Sequence, residues 1–213
     1  MAGGLTIDGG TLLVGVAAKT AWVRVFDLGG RARPGSFSFR DAALGRSGIA
    51  GLSRDRDRRL WVADDAAHRV RLFSPFGAEI GGLAGHAEGS GELPGVLVQP
   101  VDVLAHGHVD AGWVAVACAG QCRHGVQVFD PEGRYTGSLA SLGEGQRPFE
   151  NAVRLAGDGR RVLVAEAWAR RIQVFQQGRF DFAFQLTTRS GDPLEPSAVA
   201  ALPDGRIVVG SRA

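Results

Sequence analysis

The sequence predicts an all-β protein organised as a β-propeller, with four complete four-stranded antiparallel blades, a partial fifth, and a ring left open or incomplete. Three observations carry that reading. A strand-like phrase ending in phenylalanine recurs four times. Each copy sits in the same order among three other strand-like runs. The 32 glycines follow no fixed period and punctuate the runs as turn residues.

The phrases are WVRVFD (22–27), RVRLFS (69–74), GVQVFD (125–130) and RIQVFQ (171–176), and their phenylalanines, Phe26, Phe73, Phe129 and Phe175, lie 47, 56 and 46 residues apart. Each phrase is preceded by an apolar run: TLLVGV, RLWVAD, WVAVAC and RVLVAE. Before that comes an innermost run: LTID, GIAGL, PVDVL and NAVRL. A turn and a fourth strand follow, as in DPEGRYTGSLA and QQGRFDFAF, and SAVAALPDGRIVVGS opens a fifth unit. Short strands split by Asp-Gly, Glu-Gly and Gly-Gly turns form an antiparallel meander. In WVRVFD, Val23 and Val25 share one face and Phe26 takes the other, so both faces of the sheet are apolar. A lone sheet cannot bury two apolar faces; radially stacked blades can. A β-sandwich has similar strand spacing but does not require a repeated sequence. We expect one propeller domain over 1–213, with blades at about 1–47, 48–99, 100–147 and 148–196 and a partial blade at 197–213.

Comparison between blades exposes a covarying pair. Asp64 ends the second strand of the second blade and Arg69 opens the third strand; Glu166 and Arg171 hold the same slots in the fourth blade. The first blade has Val16 and Trp22 there, and the third has Cys118 and Gly125. Acid and arginine are kept or lost together, which predicts a structural ion pair across each hairpin base.

Composition narrows function mostly by exclusion. The net charge of +2 gives no strong footprint for nucleic acid or an anionic membrane, although the sequence pI is about 8.9. Arginine supplies nearly all the positive charge, Lys19 being the only lysine. No stretch approaches the roughly 20 apolar residues of a membrane span, and MAGGLTIDGG does not read as a signal peptide. These features set the expectation of a soluble, cytoplasmic protein. No GxSxG, HExxH, P-loop or dinucleotide-binding fingerprint occurs.

The run from Pro100 through VAVAC and GVQVFD to EGRYTGSL resembles an NHL repeat. So does RDRRLWVADDAAHRVRLFSPFGAEIGGLAG, from Arg56 to Gly85, and HAEGSGELPGVLVQP is similar to the glycine-rich connector between NHL blades. The resemblance covers nearly the whole chain and implies a fold more firmly than a function, because propellers host enzymes, sensors and scaffolds. Calcium-dependent lactonases of similar fold place oxygen ligands from several blades around the channel. Asp102, Glu150 and Asn151, the only asparagine, are the residues here that would form part of such a calcium site. An amidating lyase similar to NHL repeats uses zinc-bound histidines with a tyrosine and an arginine. Here Tyr135, the only tyrosine, falls on an outermost strand, and His106 and His108 read as a solvated turn. NHL modules also include binders of single-stranded RNA.

The favoured reading is a non-catalytic module that binds a protein or peptide, without a cofactor. The loops joining second and third strands gather at one end of a propeller, and here they carry Lys19, Asp65, His68, Arg123, His124, Trp168 and Arg170. Tryptophan flanked by arginine, as in AWARR, can stack on an aromatic ring or a cation. The second strand of the fifth unit, RIVVGS, would leave an apolar edge open to self-association. Cys118 and Cys122 flank the longest of the loops, and the absence of a signal sequence predicts two reduced thiols. Alkylation of the unreduced protein should therefore label both cysteines by mass spectrometry; a mass showing neither labelled would establish a bridge.

Overall fold

The computed structural model of the chain describes residues 2–41, 44–45, 47–83, 93–108, 111–118, 125–139, 149 and 151–212. The first blade comprises β1 (Ala2–Asp8), β2 (Thr11–Val16), β3 (Ala21–Asp27) and β4 (Phe37–Phe39). The second comprises β5 (Gly51–Arg54), β6 (Leu60–Asp64), β7 (Arg69–Phe73) and β8 (Glu79–Leu83). The third comprises β9 (Pro100–His108), β10 (Ala111–Cys118), β11 (Val126–Phe129) and β12 (Tyr135–Ser138). The fourth comprises β13 (Ala152–Gly157), β14 (Arg161–Glu166), β15 (Arg171–Gln176) and β16 (Arg179–Gln185), and β17 (Glu195–Ala201) pairs with β18 (Ile207–Arg212) in a two-stranded sheet. Every pairing within these sheets is antiparallel and sequential. No described helix is long and apolar enough to cross a membrane.

The inner strands β1, β5, β9, β13 and β17 lie side by side in chain order. β17 and β1 belong to separate sheets, and the ring is open. The blades are held by a repeated two-sided seam. Leu52, Leu60, Val62 and Phe73 of the second blade pack on Leu13, Ala21 and Val23 of the first. Val103, Val114, Val116 and Phe129 of the third meet Trp61, Ala63, Val70 and Leu72 of the second. Leu155, Val162, Val164 and Phe175 of the fourth meet Ala115, Ala117 and Val126 of the third, and Val199, Ile207 and Val209 meet the fourth in turn. The two-residue period of a strand sends alternate side chains to opposite faces, so each blade supplies one half of two seams. Near the axis the backbones approach closely. A Cβ on Gly51 would collide with Asp102 of the neighbouring inner strand, so glycine is required there.

A polar side chain stands in the middle of each third strand. Arg71, Gln127 and Gln173 are all buried, and each bonds to something outside its own strand. Gln127 accepts the Gly95 amide at 2.7 Å and donates to the Val96 carbonyl at 2.7 Å, fixing the connector that leads into the third blade. Arg71 donates to Asp41 at 3.0 Å on the connector into the second blade. Gln173 donates to Glu166 at 2.9 Å.

The covarying acid–arginine slots are paired as expected only in the fourth blade, where Arg171 donates to Glu166 at 2.5 Å. In the second blade Asp64 and Arg69 are register partners, but the ion pair goes elsewhere. Asp64 accepts from Arg71 at 2.8 Å, and Arg69 donates to Asp41 at 3.0 Å. The reason is reach and competition. Asp64 is shorter than Glu166 and its other oxygen is held by the Gly48 and Ala67 amides, while Arg71 projects from the same strand face as Arg69, two residues on. Asp64 and Glu166 are both fully buried and structural. Asp64→Ala would leave Arg71 and two amides without this acceptor, and should cost about 3–5 kcal/mol in urea unfolding. A loss below about 1 kcal/mol would show that the network carries little stability.

Candidate functional site

The loops between second and third strands lie at the end of the arc where the inner strands begin. Five of the seven residues singled out on them are described. Lys19, Asp65, Trp168 and Arg170 are exposed and His68 is half-buried; Arg123 and His124 lie outside the described residues. Trp168 is 71% exposed, an unusual state for the largest apolar side chain. The turns are built alike: His68 and Arg170 take left-handed backbone (φ 52° and 51°) just before the third strand, the slot filled in the third blade by Gly125. Asp65 lies directly over the Gly48 backbone, and the His68 Nδ1 accepts the Gln99 amide at 3.0 Å. These contacts bind this one loop of the second blade to the connectors on either side of it. Among the described residues, no hydrogen bond or ion pair joins any two of the five side chains, so their shared location, rather than a preformed network, unites them.

Of the three residues considered for calcium, Glu150 lies outside the described residues. Asp102 is buried and its two oxygens accept backbone amides, Val103 at 3.0 Å and Leu155 of the next inner strand at 2.9 Å. Asn151 has a left-handed backbone (φ 57°), and its carbonyl accepts the Ala167 amide at 3.1 Å. Asp102 thus stitches two inner strands together. Among the described residues, no three His, Cys, Asp or Glu side chains are grouped to hold a metal ion.

His106 and His108 do not form a turn. Both lie on β9, which runs on to His108 and pairs with β10 through Gly107 and Gly112. Sequence reasoning took the glycine as a boundary, whereas it sits within the hairpin with φ 90°. The His106 ring instead packs on Trp113 with ring centres 5.3 Å apart. Burial, with a smaller contribution from Arg56, lowers its pKa and favours the neutral imidazole. His106 and Trp113 line a cavity of about 700 Å³ between the third and fourth blades, toward the end opposite the loops just described. Tyr135 is on β12, the outermost strand of its blade, as expected. Cys118 is buried in the seam between the second and third blades; Cys122 lies outside the described residues.

No family model matches the chain, and no curated protein matches it. Solved structures do. One is a chain of a nidogen/laminin complex, 14% identical with a TM-score of 0.69, over 99% of this chain and 72% of that one. Another is a catalytically inactive virginiamycin B lyase from Staphylococcus aureus with quinupristin, 12% identical with a TM-score of 0.63, over 98% and 62%. A third comes from a complex of BBS1N with ARL6DN, 14% identical with a TM-score of 0.56, over 89% and 52%. The chain therefore spans about half to three quarters of the length of these structures. Together with the repeated four-stranded sheets, the likeness defines the protein as a β-propeller.

The buried carboxyl generates a pH signature. Burial pushes Asp102 up to about 6 from 3.8, against the downward pull of the Leu155 amide, Arg154 and the Val103 amide. An acid whose folded pKa is raised keeps its proton in the folded state while the unfolded chain has lost it. The associated stability is fully present below about pH 4, falls as pH rises to about 6, and is constant above. The change is about 3 kcal/mol at most. Unfolding free energy measured from pH 4 to pH 7, taken relative to Asp102→Asn, should decline through this window; a flat difference would place the carboxyl in a wetter setting.

Proposed function

We propose that the chain is an NHL-like propeller module that binds a protein or peptide through the loops joining second and third strands. The observation that carries this reading is Trp168, an exposed indole on a turn whose neighbour two residues on is the exposed Arg170. Both loops and strands favour recognition over chemistry. Among the described residues, the loop side chains are not organised into a nucleophile–base pair, and Asp102, on an inner strand, is engaged with two backbone amides. An exposed tryptophan beside a cation supplies large contact area at low entropic cost and is the kind of residue on which binding energy concentrates. Two of the similar structures are propellers from complexes with other proteins, a nidogen with laminin and BBS1N with ARL6DN, which supports a protein partner.

Calcium-dependent hydrolysis has less support, because both Asp102 oxygens are already engaged by backbone amides and no three acidic or His side chains are grouped to hold an ion among the described residues. Binding of single-stranded RNA would require a basic track, and the overall charge of +2 offers little driving force for it.

Peptides selected from a displayed random library against the immobilised chain test the proposal. Trp168→Ala with Arg170→Ala should weaken the selected peptides by about tenfold or more, as expected for loss of an aromatic and arginine anchor. Thermal stability should be almost unchanged, since both side chains are exposed. Equal binding by the double variant would place recognition on another surface.

A further inference from the structure

The seams between blades are not equivalent. Leu13, Trp61, Ala115 and Leu163 occupy the same position on successive second strands, opposite Thr6, Ser53, Leu104 and Ala156 of the inner strands. Three of the four are large and almost wholly buried against the next blade. Only the third blade has alanine there, facing Leu155, Val162, Val164 and Phe175. Protein interiors close at high density, so a side chain missing from a repeated seam leaves space unless its neighbours shift to fill it. They do not: this seam holds the cavity of about 700 Å³, within the range of small-molecule sites.

Its walls fall into two kinds. Trp113, Ala115, Val128 and Val162 form an apolar slot, with the His106 ring packed at a tilt of 39° on the indole. Gly159, at the turn between β13 and β14, comes so close that a Cβ would stand 2.9 Å from the His106 ring, which holds the imidazole against that wall. The rim carries Arg160, exposed at the same turn. The adjacent Arg161 is engaged by Asp158, at 2.7 Å, whereas the Arg160 guanidinium makes no ion pair among the described residues. Among the described residues, no aspartate or glutamate lines the cavity. A flat slot walled by tryptophan and closed by one uncompensated arginine complements a planar aromatic group bearing one negative charge.

We infer that the seam between the third and fourth blades is a binding site for an aromatic anion of the carboxylate or sulfonate type, seated against Trp113 and Ala115 with its charge toward Arg160. The site is separate from the loop end and does not depend on what binds there. Its specificity comes from a substitution within the repeat: alanine creates the slot that leucine fills in the first and fourth blades.

The repeat also supplies the test. Anilinonaphthalene sulfonate and the neutral phenylnaphthylamine are titrated into the purified chain, with dye emission and Trp113 quenching as readouts. Both should saturate at one per chain. Ala115→Leu restores the side chain found at this slot elsewhere and should weaken both dyes by roughly tenfold or more, through loss of the apolar volume. Its thermal midpoint should be no lower than that of the parent. Arg160→Gln alters an exposed side chain and should weaken the sulfonate by about fivefold while leaving the neutral dye unaffected. Unsaturable binding, or affinity unchanged in a folded Ala115→Leu, would overturn the site by placing the dye on other apolar surface. Should Ala115→Leu not fold, unchanged sulfonate affinity in Arg160→Gln would overturn it.

Discussion

Each blade of this protein is a thin sheet that is apolar on both faces, and the whole architecture answers to that constraint. A four-stranded meander buries nothing by itself. Stacked on a neighbour, it places one phenylalanine and three aliphatic side chains into the adjoining face: Leu52, Leu60, Val62 and Phe73, then Val103, Val114, Val116 and Phe129, then Leu155, Val162, Val164 and Phe175. Full burial of each such side chain contributes about 1.5–3 kcal/mol. The seam is therefore where cohesion between blades resides, and the loops at the two ends are released to vary.

The polar residues inside the seams solve a second problem created by the first. Connectors must run from the rim of one blade to the axis of the next, and their backbone groups need partners where water is excluded. The mid-strand slot of the third strand meets that need with different chemistry in different blades. Gln127 supplies one acceptor and one donor to Gly95 and Val96. Arg71 supplies only donors, and so requires carboxylates, which Asp41, Asp64 and Glu79 provide. The charged version brings a larger network because a buried cation must be compensated, whereas an amide can be satisfied by main chain alone. Asp102 plays the corresponding part near the axis, joining β9 to the Leu155 amide of β13.

The sequence made the repeat legible because the two-residue period and the recurring phenylalanine depend on the strand's own geometry. It also marked Asp64 and Glu166 as structural acids, and the covariation named the right arginine for Glu166 but not for Asp64. What it did not contain was the partner's identity when two arginines share one strand face: Arg69 and Arg71 are indistinguishable in pattern, both donate to Asp41 on the connector, and it is Arg71 that pairs with Asp64. The histidines were misplaced for a related reason. HGH resembles a turn locally, yet pairing with β10 carries β9 through the glycine. The cavity was hidden altogether, because a missing side chain is visible only once the seam positions of all blades are set in register. Ala115 aligned with Leu13, Trp61 and Leu163 was the signal that sequence alone held for it.

The open faces of the arc obey the same rule from the other side. On the first blade, Leu5 and Ile7 take the inner-strand positions that correspond to Leu52 and Arg54 of the second, and they are 59% and 60% exposed. Leu52 is 6% exposed, because a neighbouring blade covers it. At the other end Val208, on β18, is 52% exposed, while Val209 beside it is turned into the seam with the fourth blade. Side chains of one chemistry are thus wet or dry according to whether a blade stands next to them. The first blade carries the front half of a seam, and the β17–β18 sheet presents the back half of another. Each half is a broad sheet face and not only an edge, and its apolar side chains stand in water for want of the neighbour that dries the interior seams.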